Sequence, residues 1–187
     1  MISGLFSPIP RQNTIDALYG AIVAQARSPV FYRGYGVPDT VAGRLEMIVI
    51  HAFLFSRRAR SGTKAMQRLG QGVFDRFCDD MDANLREMGV GDLAVPKHMQ
   101  RIGEAFYGRA TAYDTALAAE QDSALAQAVI RNVFAGAPQY PERAQCLAAY
   151  IKAADLQVAQ QGDVELTGGR ISFPDPETFL NWADGIK

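Results

Sequence analysis

An all-α fold, one compact bundle of about six helices closed by a short C-terminal β-hairpin, is what this 187-residue sequence predicts. Two observations predict the helices. Apolar residues recur at spacings of three and four along most of the chain, which lines them up on one face of successive helices. Glycines and prolines fall chiefly between those periodic runs and punctuate them. A third observation predicts the hairpin: Val164–Leu166 and Ile171–Phe173 alternate about a Thr167–Gly168–Gly169 turn. The length suits a single domain, 1–187, and a chain of this size buries roughly 70% of its unfolded surface. No repeat, low-complexity run or linker divides it.

The first helix covers 14–27. Asn13 is its expected cap, and Ile15, Leu18, Tyr19, Ile22, Val23 and Ala26 form its inner stripe before Pro29 ends it. Residues 28–39, SPVFYRGYGVPD, read as a loop tied down by Phe31, Tyr32 and Tyr35, or as the lip of a binding surface. Asp39 is the expected cap of a helix over 40–60. Its middle, LEMIVIHAFLF, is apolar nearly all round but spans only about 16 Å, against the roughly 20 residues that a bilayer crossing needs. It is therefore read as the central buried helix. Arg57, Arg58 and Arg60 complement the dipole at its end. With Lys64 and Arg68 they also offer a basic patch for anionic lipid or RNA.

A helical hairpin follows, beginning near Thr63. Gly70 and Gly72 lie inside its first helix, where glycine kinks a helix or lets a neighbour approach. Phe74, Phe77, Cys78, Met81, Leu85 and Met88 share one stripe, and Asp75, Asp79, Asp82 and Arg86 share the other side. Gly89 is placed to cap this helix in the left-handed conformation, and Pro96 to open the next, whose stripe is Met99, Ile102, Phe106, Ala110 and Tyr113. Beyond a break at 121–123, capped by Asp122, come helices over 123–135 and about 141–160. A strap with a short helical turn around Phe179, Leu180 and Trp182 closes the chain.

The stretch DDMDANLREMGVGDLAVPKHMQRIGEAFYGR, Asp79 to Arg109, closely resembles the core of the ubiquinol–cytochrome c chaperone family. A weaker similarity runs upstream through Val41–Phe55 and Phe31–Gly36, in all about two thirds of the chain. The resemblance implies an all-helical chaperone without enzymatic activity. It also implies a client, cytochrome b or another subunit of the respiratory bc1 complex, held by stoichiometric binding. Mitochondrial relatives work with a small partner subunit near the ribosomal tunnel exit, so such a subunit, the ribosome and the membrane surface are further expected partners.

Charge and cysteine usage agree with that expectation. The net charge of −1 supplies no global basic field, so DNA is not an expected partner. Cys78 and Cys146 lie on apolar faces far apart and read as two buried thiols of a reducing compartment. The start, MISGLFSPIPRQNT, lacks the charged and apolar regions of a secretory signal, so a cytoplasmic location is expected, peripheral on the inner face of the cytoplasmic membrane. The expected protein-binding residues are on the outer side of the helical hairpin: Asp79, Asp82, Arg86, Lys97, Arg101, Glu104 and Gly108. Asp82–Arg86 and Arg101–Glu104 are spaced as ion pairs. Exposed pairs stabilise by only about 0.3–0.5 kcal/mol, so this density of charge argues for binding rather than stability. No cofactor is expected, since no phosphate loop, zinc spacing or nucleophile elbow appears. The competing reading is a helical metal-dependent enzyme with a site at Asp79, Asp82 and His98. His51 and His98 are also the only histidines a haem could use.

Overall fold

The structure, a computed structural model, describes residues 11–119, 121, 123–136 and 141–182. Among the described residues eight α-helices run in the order α1 (Gln12–Ala26), α2 (Pro29–Arg33), α3 (Val41–Arg60), α4 (Lys64–Glu87), α5 (Val95–Ala118), α6 (Ser123–Asn132), α7 (Pro141–Gln160) and α8 (Asp163–Thr167). A 3-10 turn, Pro176–Trp182, ends the described chain. Six of the helices have ten or more residues, as the periodicity requires, and α2 and α8 are five-residue turns.

α3 is the axis of the bundle. It packs against α1, α4, α5 and α7, so it has no solvent-facing side between Met47 and Phe55. That explains a run apolar on all sides. No described helix is long and apolar enough to cross a membrane. The loop reading of 28–39 holds in its tied-down form: Phe31 and Tyr35 are buried outright, and Pro29 nucleates the short α2 within it.

Several local expectations need correction. The C-terminal hairpin is absent: among the described residues there is no strand, and Val164–Leu166 lies in α8. Asp163 and Glu165 stand in the first turn of that helix, where the dipole favours acids. Gly169, at φ +81, turns the chain out of it, and Arg170 N–H bonds back to Glu165 O at 3.0 Å. Alternation over two three-residue arms was too short to outweigh these helix signals. Thr40, not Asp39, caps α3 by accepting from Gly43 N. Asp39 pairs with Arg44 instead. α1 starts at Gln12, one residue before the expected Asn13 cap, and Arg11 at its N-cap makes no side-chain bond. The expected Asp122 cap lies outside the described residues.

The α4–α5 hairpin forms as expected. Thr63 caps α4 by accepting from Met66 N. Gly89, at φ +83, ends it in a Schellman arrangement, with Val90 N–H on Leu85 O at 3.0 Å and Gly89 N–H on Arg86 O at 2.9 Å. The two interior glycines serve close approach. A Cβ at Gly70 would lie 2.7 Å from Ala59 Cβ of α3, and one at Gly72 2.6 Å from Ile15 Cδ1 of α1.

Candidate functional site

Where α3, α4 and α5 meet, their packing leaves an apolar recess open to the surface. Gly70 and Ala59 lie where α3 and α4 approach, with Ala110 on the α5 side. Phe53, Phe74, Phe106 and Tyr107 supply aromatic lining. Phe74 stacks on Phe106 at 4.9 Å and on Tyr107 at 5.5 Å between ring centroids. Ser56, Arg60, Gln67 and Gln71 complete the lining with polar groups. The volume, about 180 Å³, is close to that of a cavity admitting one benzene ring. It falls below the roughly 300 Å³ at which small-molecule sites begin. Tyr107 is 61% exposed, so a large ring stands at the recess with most of its surface in water.

Phe74 and Phe106 were legible as stripe residues. Tyr107 was missed because it lies one position off the stripe of α5. An aromatic just outside the apolar face of an otherwise charged helix is the signal that would have found it.

The residues expected to bind a partner divide between α4 and α5. On α4, Arg86 donates to Asp82 at 2.6 Å and also pairs with Asp92 of the turn, so the expected Asp82–Arg86 pair forms with a third member. Asp79 is exposed beside it in sequence, and Asp82 is half-buried. On α5, Lys97, Arg101, Glu104 and Gly108 are all exposed. The expected Arg101–Glu104 pair does not form; Glu104 accepts from Gln100 at 2.9 Å, one helical turn away. Among the described residues no ion pair joins α4 to α5. Gly108 faces open space, with nothing within 4 Å of a Cβ built there.

The basic cluster is neutralised from within. Arg57 bridges Asp114 of α5 at 2.6 Å and Asp155 of α7 at 3.0 Å; Arg58 takes Asp163 at 2.6 Å; Arg60 takes the other oxygen of Asp114 at 3.1 Å. These arginines fasten the end of α3 to its neighbours and do not present a bare patch for phosphates. A more buried pair lies further along: Arg109 grips Glu46 with two nitrogens, Nε at 2.6 Å from Oε2. Burial pushes the Glu46 carboxyl above its usual range, and Arg109 pulls it back.

The competing metal site is not assembled. Among the described residues no three His, Cys, Asp or Glu side chains converge on a point that could hold an ion. Asp79 is exposed, and Asp82 is committed to Arg86. His51 is fully buried. Its Nδ1–H donates to Met47 O and its Nε2 accepts from Tyr150 Oη, both at 2.7 Å, so both ring nitrogens are used. Neither cysteine is in a disulfide; Cys146 is buried and Cys78 half-buried, with burial raising the Cys78 thiol.

The model of the family described as Ubiquinol-cytochrome C chaperone matches residues 33–173. The crystal structure of the Cbp3 homolog from Brucella abortus is similar to this fold with a TM-score of 0.82 and 38% sequence identity. The match covers 89% of this chain and 91% of that one. No curated protein matches the chain.

Proposed function

The chain belongs to the ubiquinol-cytochrome C chaperone family, and from that premise we propose that it is an assembly factor of the respiratory bc1 complex that holds newly made cytochrome b by one-to-one binding and catalyses no reaction. The observation that carries this reading is the aromatic recess at Tyr107. A subunit destined for the bilayer carries large apolar side chains that water exposes to aggregation. A surface recess sized for one such side chain, with polar groups in its lining, shields it without enclosing a whole segment. Asp79, Asp82, Arg86, Lys97, Arg101, Glu104 and Gly108 supply, in this reading, a second contact, for a small partner subunit or the ribosome. The work is placed at the inner face of the cytoplasmic membrane, where such a client is handed over.

Tests follow on both surfaces. Loss of the gene should deplete cytochrome b and assembled bc1 complex, read from haem b absorbance of membranes. Tyr107→Ala should leave the protein folded while client capture in a pull-down falls at least several-fold. Arg101→Glu and Asp82→Lys should change stability by under about 1 kcal/mol, yet weaken capture of a second protein through lost complementarity. Normal bc1 levels without the gene would remove the function. Normal capture by Tyr107→Ala would remove the recess, and normal capture by both reversals would remove the outer face.

A further inference from the structure

Residues 171–182 cross the bundle as a strap over a chamber of four fully buried rings, Phe31, Tyr35, His51 and Tyr150. The strap itself is only half-buried at Phe173, Pro174, Phe179 and Leu180. It is seated by ring edges, Phe173 at 5.0 Å from His51 and Phe179 at 6.0 Å from Tyr150. Two of its carbonyls are held by buried or half-buried donors. Tyr35 O–H donates to Pro176 O at 2.5 Å, and Gln25 Nε2 to Pro174 O at 3.2 Å. The same Gln25 nitrogen donates to Tyr150 Oη at 3.0 Å. Directions in this chain are fixed by its ends. Met47 O can only accept, so His51 carries its proton on Nδ1; Nε2 then accepts from Tyr150, whose oxygen accepts from Gln25.

We propose that this relay makes the strap an acid-released cover, in which protonation of His51 reverses the hydrogen bonds back to Gln25 and detaches residues 171–182 from the aromatic chamber. A proton taken from solvent onto Nε2 turns that atom from acceptor to donor. Tyr150 Oη must then accept from His51 and turn its own hydrogen toward Gln25. Gln25 can accept it only by presenting Oε1 where its NH₂ was. That oxygen faces Pro174 O, so a hydrogen bond to the strap becomes a contact of two acceptors. The charged groups nearest the chamber are exposed, Asp175 on the strap and Arg143 of α7, whose guanidinium lies against Gly36. Tyr150 of α7 is the titratable group on His51 itself; Cys146, Tyr150 and Asp175 act on Tyr35 across the chamber, while α1 brings the uncharged Gln25. Burial alone holds the covered ring down to about 4. Uncovered, it returns toward its ordinary value, so acid favours the lifted strap.

Hydrogen exchange by mass spectrometry on the full chain tests this. After correction for intrinsic rates, exchange of 171–182 should speed up roughly tenfold between pH 7 and pH 5.5, while the amides of 47–55 in α3 stay protected. His51→Phe, which keeps a ring but cannot titrate, should show no such pH response. Gln25→Leu should exchange fast in the strap at both pH values. A strap whose exchange does not change with pH in the parent would overturn the proposal, as would strap and α3 opening together. A Gln25→Leu protein with the parent's pH response would overturn the relay. The parent measurement decides the matter even where a variant does not fold.

Discussion

Gly70 and Gly108 both sit inside long helices, yet their surroundings are opposite. A Cβ on Gly108 meets nothing within 4 Å, whereas one on Gly70 meets Ala59 Cβ at 2.7 Å, a group too near the backbone to swing away. Gly108→Ala should therefore raise stability by up to about 1 kcal/mol, because alanine restricts the unfolded chain and solvates less helix backbone. Gly70→Ala should lower it by about 1–3 kcal/mol through overpacking. Urea unfolding of the two variants checks the contrast; equal shifts of the same sign would contradict it. The same substitution at two helical glycines thus reads a free surface against a helix contact, and Gly108→Ala also tests whether the outer face of α5 is occupied by a partner.

At the scale of elements, the Glu46–Arg109 fork is the most buried tie between α3 and α5. Arg109→Met should cost about 2–3 kcal/mol, since it strands a buried carboxylate. Adding Glu46→Leu should recover most of that loss, because two apolar side chains need no pairing. A double variant no better than the single would show that the pair does more than neutralise itself. Neither partner was singled out from the sequence, and the reason is physical. Glu46 opens an apolar run and Arg109 ends a charged stretch, 63 residues apart, so nothing local announces their meeting. The same limit applies to Arg57, Arg58 and Arg60, which read as a dipole complement or basic patch until Asp114, Asp155 and Asp163 arrive from other helices. Periodicity, by contrast, is local, and it placed α3, the α4–α5 hairpin and α7 within a residue or two. It failed at 164–173, where each arm is too short to carry a period and the turn glycines suit a helix end as well as a hairpin.

For the molecule as a whole, four tyrosines, Tyr19, Tyr35, Tyr113 and Tyr150, are buried, and burial raises each hydroxyl above its ordinary value of 10.0. The sign is that of a raised folded value. Their contribution is whole below pH 10 and is lost as pH climbs from there toward the folded values, because the unfolded chain ionises first. Above pH 10, helix content and phenolate absorbance should change together in one cooperative step. Gradual phenolate formation with the helices intact would show that these rings are open to solvent. The tyrosines lie in different parts of the bundle, so the transition reports the core rather than one corner. The approach of Gly70 to Ala59 has a consequence for how such a protein can drift. The floor of the recess and the spacing of α3 and α4 are one surface. If the recess grips a client as proposed, a bulkier residue there would shallow the grip and wedge the helices apart in the same stroke, so holding power and heat resistance could not be traded against each other at that point. On that reading, adaptation to a different passenger would fall to the rim, to Tyr107, Gln67 and Gln71, whose exposed side chains can change without moving a helix.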